Sequence, residues 1–181
     1  MVDAPTPLWI FAYGSLMWHP GFPFAERQRA VLRGYHRALC IWSHHWRGTV
    51  AVPGLVFGLD RGGHCTGVAY RIALEEAAAV LEAVRRRELV TNVYREALAT
   101  TELADGRTLQ AIAYLADPDH PQYAGRLGSA AILTSVRAAS GIAGPNRDYV
   151  LNTQAHLTEL GVDDPALTAL CDNLTVADTR A

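Results

Sequence analysis

Short apolar runs separated by turn-forming clusters fill the first seventy or so residues of the chain, after which the hydrophobic period changes. The first run, Ile10-Phe11-Ala12-Tyr13-Gly14-Ser15-Leu16-Met17-Trp18, breaks at Tyr-Gly-Ser and is followed by His19-Pro20-Gly21. Such a run reads as a buried strand emptying into a tight loop, whose backbone N–H groups can point at a ligand because Gly14 has no side chain to block approach. Residues 22–27 read as an irregular connection. Ala30-Val31-Leu32 and Ala38-Leu39-Cys40-Ile41-Trp42-Ser43 then suggest two strands, or one bent strand interrupted at Gly34. Arg47-Gly48-Thr49 and Pro53-Gly54 mark a loop. Apolar runs at 55–60 and 65–72 flank Arg61-Gly62-Gly63-His64 and predict a hairpin, since paired glycines supply the positive φ of a tight turn.

From Ala73 the period is helical, with Leu74, Ala77, Leu81 and Val84 on one stripe and Glu75 and Glu76 in the first turn, at the positive end of the helix dipole. Residues 93–103 and 107–115 read as a strand pair turning at Ala104-Asp105-Gly106, and Asp117-Pro118-Asp119-His120-Pro121 as loop. Segments 129–139, 145–160 and 165–174 read as helices, with Pro145 and Pro165 near their starts and Gly141 and Gly161 just past their ends. The order predicts an α+β fold: a small mixed β-sheet or barrel with packed helices, formed as a single domain over residues 1–181.

Composition narrows the function. Half of the 181 residues are hydrophobic and 19% are charged, enough apolar material for a sizeable core without staples. A net charge of −2 gives no footprint for nucleic acid, and no apolar run approaches the length of a membrane span. The first seven residues carry no positive charge and no long apolar region, so they read as neither a signal nor a transit peptide, and a cytoplasmic protein is expected. Cys40, Cys65 and Cys171 form no C-x-x-C pair and their odd count argues against a disulfide framework. The seven histidines show no metal-ligand spacing, so no metal is expected, and the absence of G-x-S-x-G, a Walker loop and G-x-G-x-x-G removes the usual hydrolase, kinase and dinucleotide readings. Arg85-Arg86-Arg87, followed at once by Glu88, reads as a solvated helix end.

Glu88 is the exception to an orderly polar pattern. Fourteen positions after Leu74, at about 100° per residue, it points within about 40° of it, between Leu81 and Val84. If the helix reaches that far, burial and the negative end of the helix dipole both raise the carboxyl pKa, as proton transfer near neutral pH requires. If the helix frays by Arg87, Glu88 turns to solvent or pairs with a neighbouring arginine. Tyr13, Tyr94, Tyr123 and Tyr149 read equally as core or interface aromatics and as ligand contacts.

Several motifs in order resemble one known family. Tyr13-Gly14-Ser15-Leu16-Met17-Trp18, Arg33-Gly34-Tyr35-His36-Arg37, Arg47-Gly48-Thr49 with Pro53-Gly54-Leu55, Gly67-Val68-Ala69-Tyr70, Arg87-Glu88, Tyr123-Ala124-Gly125 and Arg147-Asp148-Tyr149-Val150-Leu151-Asn152-Thr153 follow the order seen in ChaC-like γ-glutamylcyclotransferases. The resemblance runs over residues 8–174. It implies a barrel of about five to six strands and a cofactor-free cleavage of glutathione to 5-oxoproline and Cys-Gly. It further implies a γ-glutamyl site formed by Ile10, Phe11, Ala12, Tyr13, Gly14 and Ser15, with Glu88 as proton acceptor. The N–H groups of Tyr13 to Leu16 are candidates for the oxyanion. Arg47, Tyr94, Tyr123 and Tyr149 are candidates for the Cys-Gly half. The chain departs from the family at Ala12 and Asn92, where Gly is usual, and at Val50-Ala51, where many members have Pro-Glu. Turnover of another γ-glutamyl amine or dipeptide, and a non-catalytic binding or regulatory role, are the alternatives; the oligomeric state stays open.

Overall fold

Five strands, β1 (Leu8–Ala12), β2 (Glu26–Ser43), β3 (Gly54–Ile72), β4 (Tyr94–Leu103) and β5 (Thr108–Ala116), close into a barrel in the order β1-β3-β2-β4-β5. The computed structural model describes residues 7–176. The N-terminal segment read as neither signal nor transit peptide therefore lies, but for Pro7, outside the described residues. Two units emerge: residues up to Ala38 with Leu59–Asp117, and Leu39–Gly58 with the chain from Pro118 on. No helix of the described residues is long and apolar enough to cross a membrane.

In the first unit β1 runs antiparallel to the end of β3, from Leu8 opposite Ile72 to Ala12 opposite Val68. It runs parallel to β5, with Ile10 beside Ile112, which closes the cylinder. β4 and β5 form the expected pair, Tyr94 opposite Ala116 through Glu102 opposite Thr108, around the Asp105-Gly106 turn. β4 also pairs with β2, Ala30 opposite Leu103. Ile10, Phe11, Leu32, Leu59, Tyr70, Ile72 and Tyr114 are buried with almost no exposure. α1 (Ala77–Glu88) belongs to this unit.

The second unit carries α2 (Ser129–Ala138), the two-residue strands β6 (Ser140–Gly141) and β7 (Gly144–Pro145), α3 (Asn146–Glu159) and α4 (Pro165–Val176). The three helices pack on one another around Val136, Val150, Leu157 and Leu174. The expected stop at Gly161 is present: its N–H reaches Thr158 O (2.9 Å) and the Val162 N–H reaches Leu157 O (2.8 Å), closing the last turn of α3.

Four expectations are corrected. Arg61-Gly62-Gly63-His64 is not a hairpin turn, because β3 runs through it as one strand. The positive φ of Gly62 and Gly63 (101° and 68°) bends the strand without reversing it, as Gly34 (86°) does in a β2 that is likewise continuous and that begins at Glu26, inside the segment read as irregular. The 73–88 helix starts four residues late: Glu76 N–H bonds Ala73 O and Ala77 N–H bonds Leu74 O, three residues back, so these residues form a turn. Leu74 is consequently 48% exposed and off the buried stripe, and Glu76 is the N-cap. Gly141 is not a helix stop; a Cβ there would meet His45 O at 2.4 Å, so close backbone approach requires the glycine.

Candidate active site

β1 delivers the Tyr-Gly-Ser segment to one end of the barrel wall. Ile10, Phe11 and Ala12 are fully buried strand residues and Tyr13 nearly so, so their side chains serve the core. At Ser15 the chain becomes a single 3₁₀ turn, Ser15–Met17, held by Met17 N–H to Gly14 O and His19 N–H to Ser15 O, both 2.8 Å. The turn's carbonyls are taken by side chains of other strands. Arg37 Nε on β2 donates to Tyr13 O (2.7 Å), and its Nη2 donates to Thr66 O (2.8 Å). The buried Tyr70 hydroxyl on β3 donates to Leu16 O (3.1 Å) and Met17 O (2.8 Å). The first N–H groups of a helical turn have no carbonyl within the turn to bond, and here they belong to Ser15 and Leu16. Gly67 completes the support: a Cβ there would lie 2.2 Å from Ala12 O and 2.7 Å from Phe11 Cζ, so only glycine lets β3 close on β1 under the turn.

Glu88 is the last residue of α1. Val80, Val84 and Glu88 recur at four-residue spacing and therefore share a face; the two valines are buried and the Glu88 side chain is only 17% exposed. Burial raises the Glu88 pKa above the ordinary carboxylate range, against a smaller opposing pull from the Arg87 charge. The Arg87 guanidinium stands with Nε 3.5 Å from Glu88 Oε1. The same group donates from Nη2 to Ser15 Oγ (2.7 Å) and from Nη1 to His19 O (2.8 Å). One guanidinium thus touches both the carboxylate and the turn. The basic cluster at the end of α1 is not a merely solvated end: Arg85 binds Glu96, Arg86 binds Glu82, and Arg87 reaches the loop.

Glu96 on β4 is the counterpart. Arg85 grips it with two hydrogen bonds, of 2.7 and 2.6 Å, and the Tyr114 hydroxyl adds a third of 3.1 Å. The Arg85 bonds hold its pKa below the ordinary range. Tyr114 is buried on β5, and burial, then the Glu96 charge, push its pKa up.

The remaining sequence candidates divide between the units. Tyr94 opens β4 opposite Ala116 in the first. In the second, the Arg47 guanidinium lies over the Tyr149 ring, 5.2 Å from its centre, and donates from Nη1 to Ala143 O (2.5 Å). The Tyr149 hydroxyl accepts the Phe57 N–H (3.2 Å), and Tyr123 pairs with Ile41 in an isolated antiparallel bridge. Among the described residues no cluster of three or more His, Cys, Asp or Glu could hold a metal ion.

A family model described as ChaC-like protein matches residues 8–177. The chain belongs to the ChaC-like family. This ChaC-like protein is 40% identical over 164 residues to the Escherichia coli (strain K12) protein named glutathione-specific gamma-glutamylcyclotransferase, covering 91% of this chain and 71% of that one. It is 34% identical over 174 residues to human glutathione-specific gamma-glutamylcyclotransferase 1, covering 93% and 78%. To Arabidopsis thaliana gamma-glutamylcyclotransferase 2-3 it is 34% identical over 176 residues, covering 92% and 88%. A crystal structure of a yeast gamma-glutamyl cyclotransferase specific to glutathione superposes with a TM-score of 0.82 at 21% identity, over 93% of this chain and 96% of that one, and shares the fold.

Within the ChaC-like chain, sequence reasoning left the contacts of four residues unread. Arg37 and Tyr70 sit in motifs that carry the resemblance, but only the fold shows that they fix the turn carbonyls. Arg87 reaches a serine 72 residues away, a pairing no local pattern encodes. Buried Asn146 in the second unit exchanges two hydrogen bonds with Leu55, accepting from its N–H (2.6 Å) and donating to its carbonyl (2.8 Å). Asn92 adopts φ 55°, the left-handed conformation that Asn tolerates best among residues with a side chain.

Proposed function

We propose that this ChaC-like protein is a glutathione-specific γ-glutamylcyclotransferase, an intramolecular amide-cyclising lyase that releases 5-oxoproline and Cys-Gly. The observation that carries the reading is a carboxylate with raised proton affinity, Glu88, joined through one guanidinium to the turn that follows β1. Relatives of the same family with 40% and 34% identity bear that activity in their names.

The chemistry needs little more. The α-amine of the γ-glutamyl group attacks its own γ-carbonyl carbon, forming the C–N bond of a five-membered ring and a tetrahedral oxyanion. Collapse of the oxyanion breaks the bond to the cysteinyl nitrogen. Holding the substrate folded supplies proximity, which contributes on the order of 7–11 kcal/mol in favourable cases. An ammonium cannot attack, so in this reading Glu88 takes a proton from the amine and returns it to the leaving Cys-Gly amine. One carboxylate with its pKa moved toward neutrality serves both transfers. The N–H groups of the Tyr13 to Leu16 segment are assigned to the oxyanion, and Gly14 keeps that backbone open to the substrate, since a Cβ there would meet nothing within 4 Å. Substrate is the only partner the reading requires. Cys40, Cys65 and Cys171 are buried thiols, the form that persists in a reducing compartment, which supports a cytoplasmic site of action.

Incubation of the purified protein with glutathione and with other γ-glutamyl amines and dipeptides, following 5-oxoproline, tests this. Release from glutathione is expected. Release only from another γ-glutamyl compound would move the substrate assignment, and release from none would remove the enzymatic reading.

A further inference from the structure

Three consecutive arginines precede Glu88 in the last turn of α1, and each meets a different partner. Successive helical positions project about 100° apart, so Arg85, Arg86 and Arg87 cannot act as one patch. Arg85 and Arg86 neutralise Glu96 and Glu82. Arg87 instead spans from the helix to the turn after β1, with two of its nitrogens on Ser15 Oγ and His19 O and its Nε facing Glu88. Building on the assignment of Glu88 as the base, we propose that Arg87 is a positioning residue that ties the Ser15 turn to the Glu88 carboxylate, so that the oxyanion donors and the base keep a fixed relation.

The geometry of the ion pair is suited to that task. At 3.5 Å the Arg87 Nε contact is a charge interaction longer than a normal hydrogen bond, unlike the double hydrogen bond that Arg85 makes to Glu96. A carboxylate gripped as Glu96 is gripped loses basicity and has its lone pairs occupied. Glu88 keeps both, while the adjacent cation offsets part of the cost of ionising it in a buried place. Among the described residues, the Arg87 charge on the same helix and Tyr114 on β5 interact electrostatically with Glu88, and Tyr114 in turn hydrogen-bonds Glu96, the partner of Arg85. His19 is the titratable residue of the loop, and it meets Arg87 through its backbone carbonyl.

Arg87→Gln, Arg87→Lys and Ser15→Ala test the coupling through two readouts: kcat/KM for glutathione against pH, and ¹³C NMR titration of the Glu88 side-chain carboxyl without substrate. Arg87→Gln is expected to lower kcat/KM roughly 10–100-fold through misplacement of the turn. It should also move both the acid limb and the Glu88 titration to higher pH, because the offsetting charge is gone. Arg87→Lys keeps the charge, so the limb should stay near wild type with kcat/KM between the two. Ser15→Ala should lower kcat/KM with the limb unmoved. An unchanged Glu88 titration in Arg87→Gln overturns the coupling and leaves Arg87 as a loop tether. Wild-type kcat/KM in that variant overturns the positioning role. The carboxyl titration is read without turnover, so it judges Arg87 even where glutathione proves not to be the substrate. Thermal melts establish that each variant is folded.

Discussion

Glu88 and Glu96 stand in the same unit with nearly equal exposure, 17% and 22% of their side chains, yet their proton affinities move in opposite directions. Around Glu96, two guanidinium bonds and a tyrosine hydroxyl satisfy the carboxylate and keep it ionised. Around Glu88, on the helix face it shares with Val80 and Val84, burial dominates, and the Arg87 charge 3.5 Å away opposes it only in part. Side-chain exposure alone therefore does not separate the two carboxylates; desolvation decides at Glu88 and hydrogen-bond partners decide at Glu96. The two groups form a control and a test within one molecule.

The largest contrast is expected in turnover. Removing the Glu88 carboxylate in Glu88→Gln should cost roughly 10²–10⁴-fold in 5-oxoproline formation, the usual contribution of a general acid–base. Glu96→Gln should stay within a few-fold of wild type, and parity of the two variants would erase the distinction. Stability should respond the other way. Glu96→Ala strips Arg85 and Tyr114 of their acceptor and should cost about 1–2 kcal/mol in denaturant unfolding.

Their pH dependences should also oppose. Glu88 binds its proton more tightly folded than unfolded, so its ionisation destabilises the fold as pH rises from the ordinary Glu range through the raised folded value. Glu88→Gln should remove that loss and melt higher than wild type near neutrality. Glu96 binds its proton less tightly when folded, so its contribution is present above the ordinary Glu value and is lost as pH falls through the lowered one. Melting temperatures across acid pH for both Gln variants check the two slopes. The smallest effect belongs to the exposed Arg86–Glu82 pair, where Arg86→Ala should change stability by no more than about 0.5 kcal/mol.

Much of this site was legible without coordinates, and the illegible part has a physical reason. The strand–loop break at Tyr13-Gly14-Ser15 and the placement of Glu88 among apolar residues follow from periodicity, which reports which way a side chain points. The buried residues of the helix prove to be Val80 and Val84, with Glu88 part-buried on the same face and Leu74 outside it, because the helix begins only at Ala77. Periodicity cannot report where a long flexible side chain ends. Arg85, Arg86 and Arg87 are one letter repeated, and only the fold assigns them Glu96, Glu82 and the Ser15 turn. Gly62-Gly63 misleads for a related reason: positive φ permits both a chain reversal and a bend within a strand, and long-range pairing decides between them.

The claim that Glu88 moves the proton is met most directly by the pH dependence of kcat/KM for glutathione in wild type and Glu88→Gln, measured side by side. The wild-type profile should show an acid limb above the ordinary carboxylate range, and the residual rate of Glu88→Gln should lack it. An acid limb that persists unchanged in Glu88→Gln would contradict the account, because some other group would then be titrating.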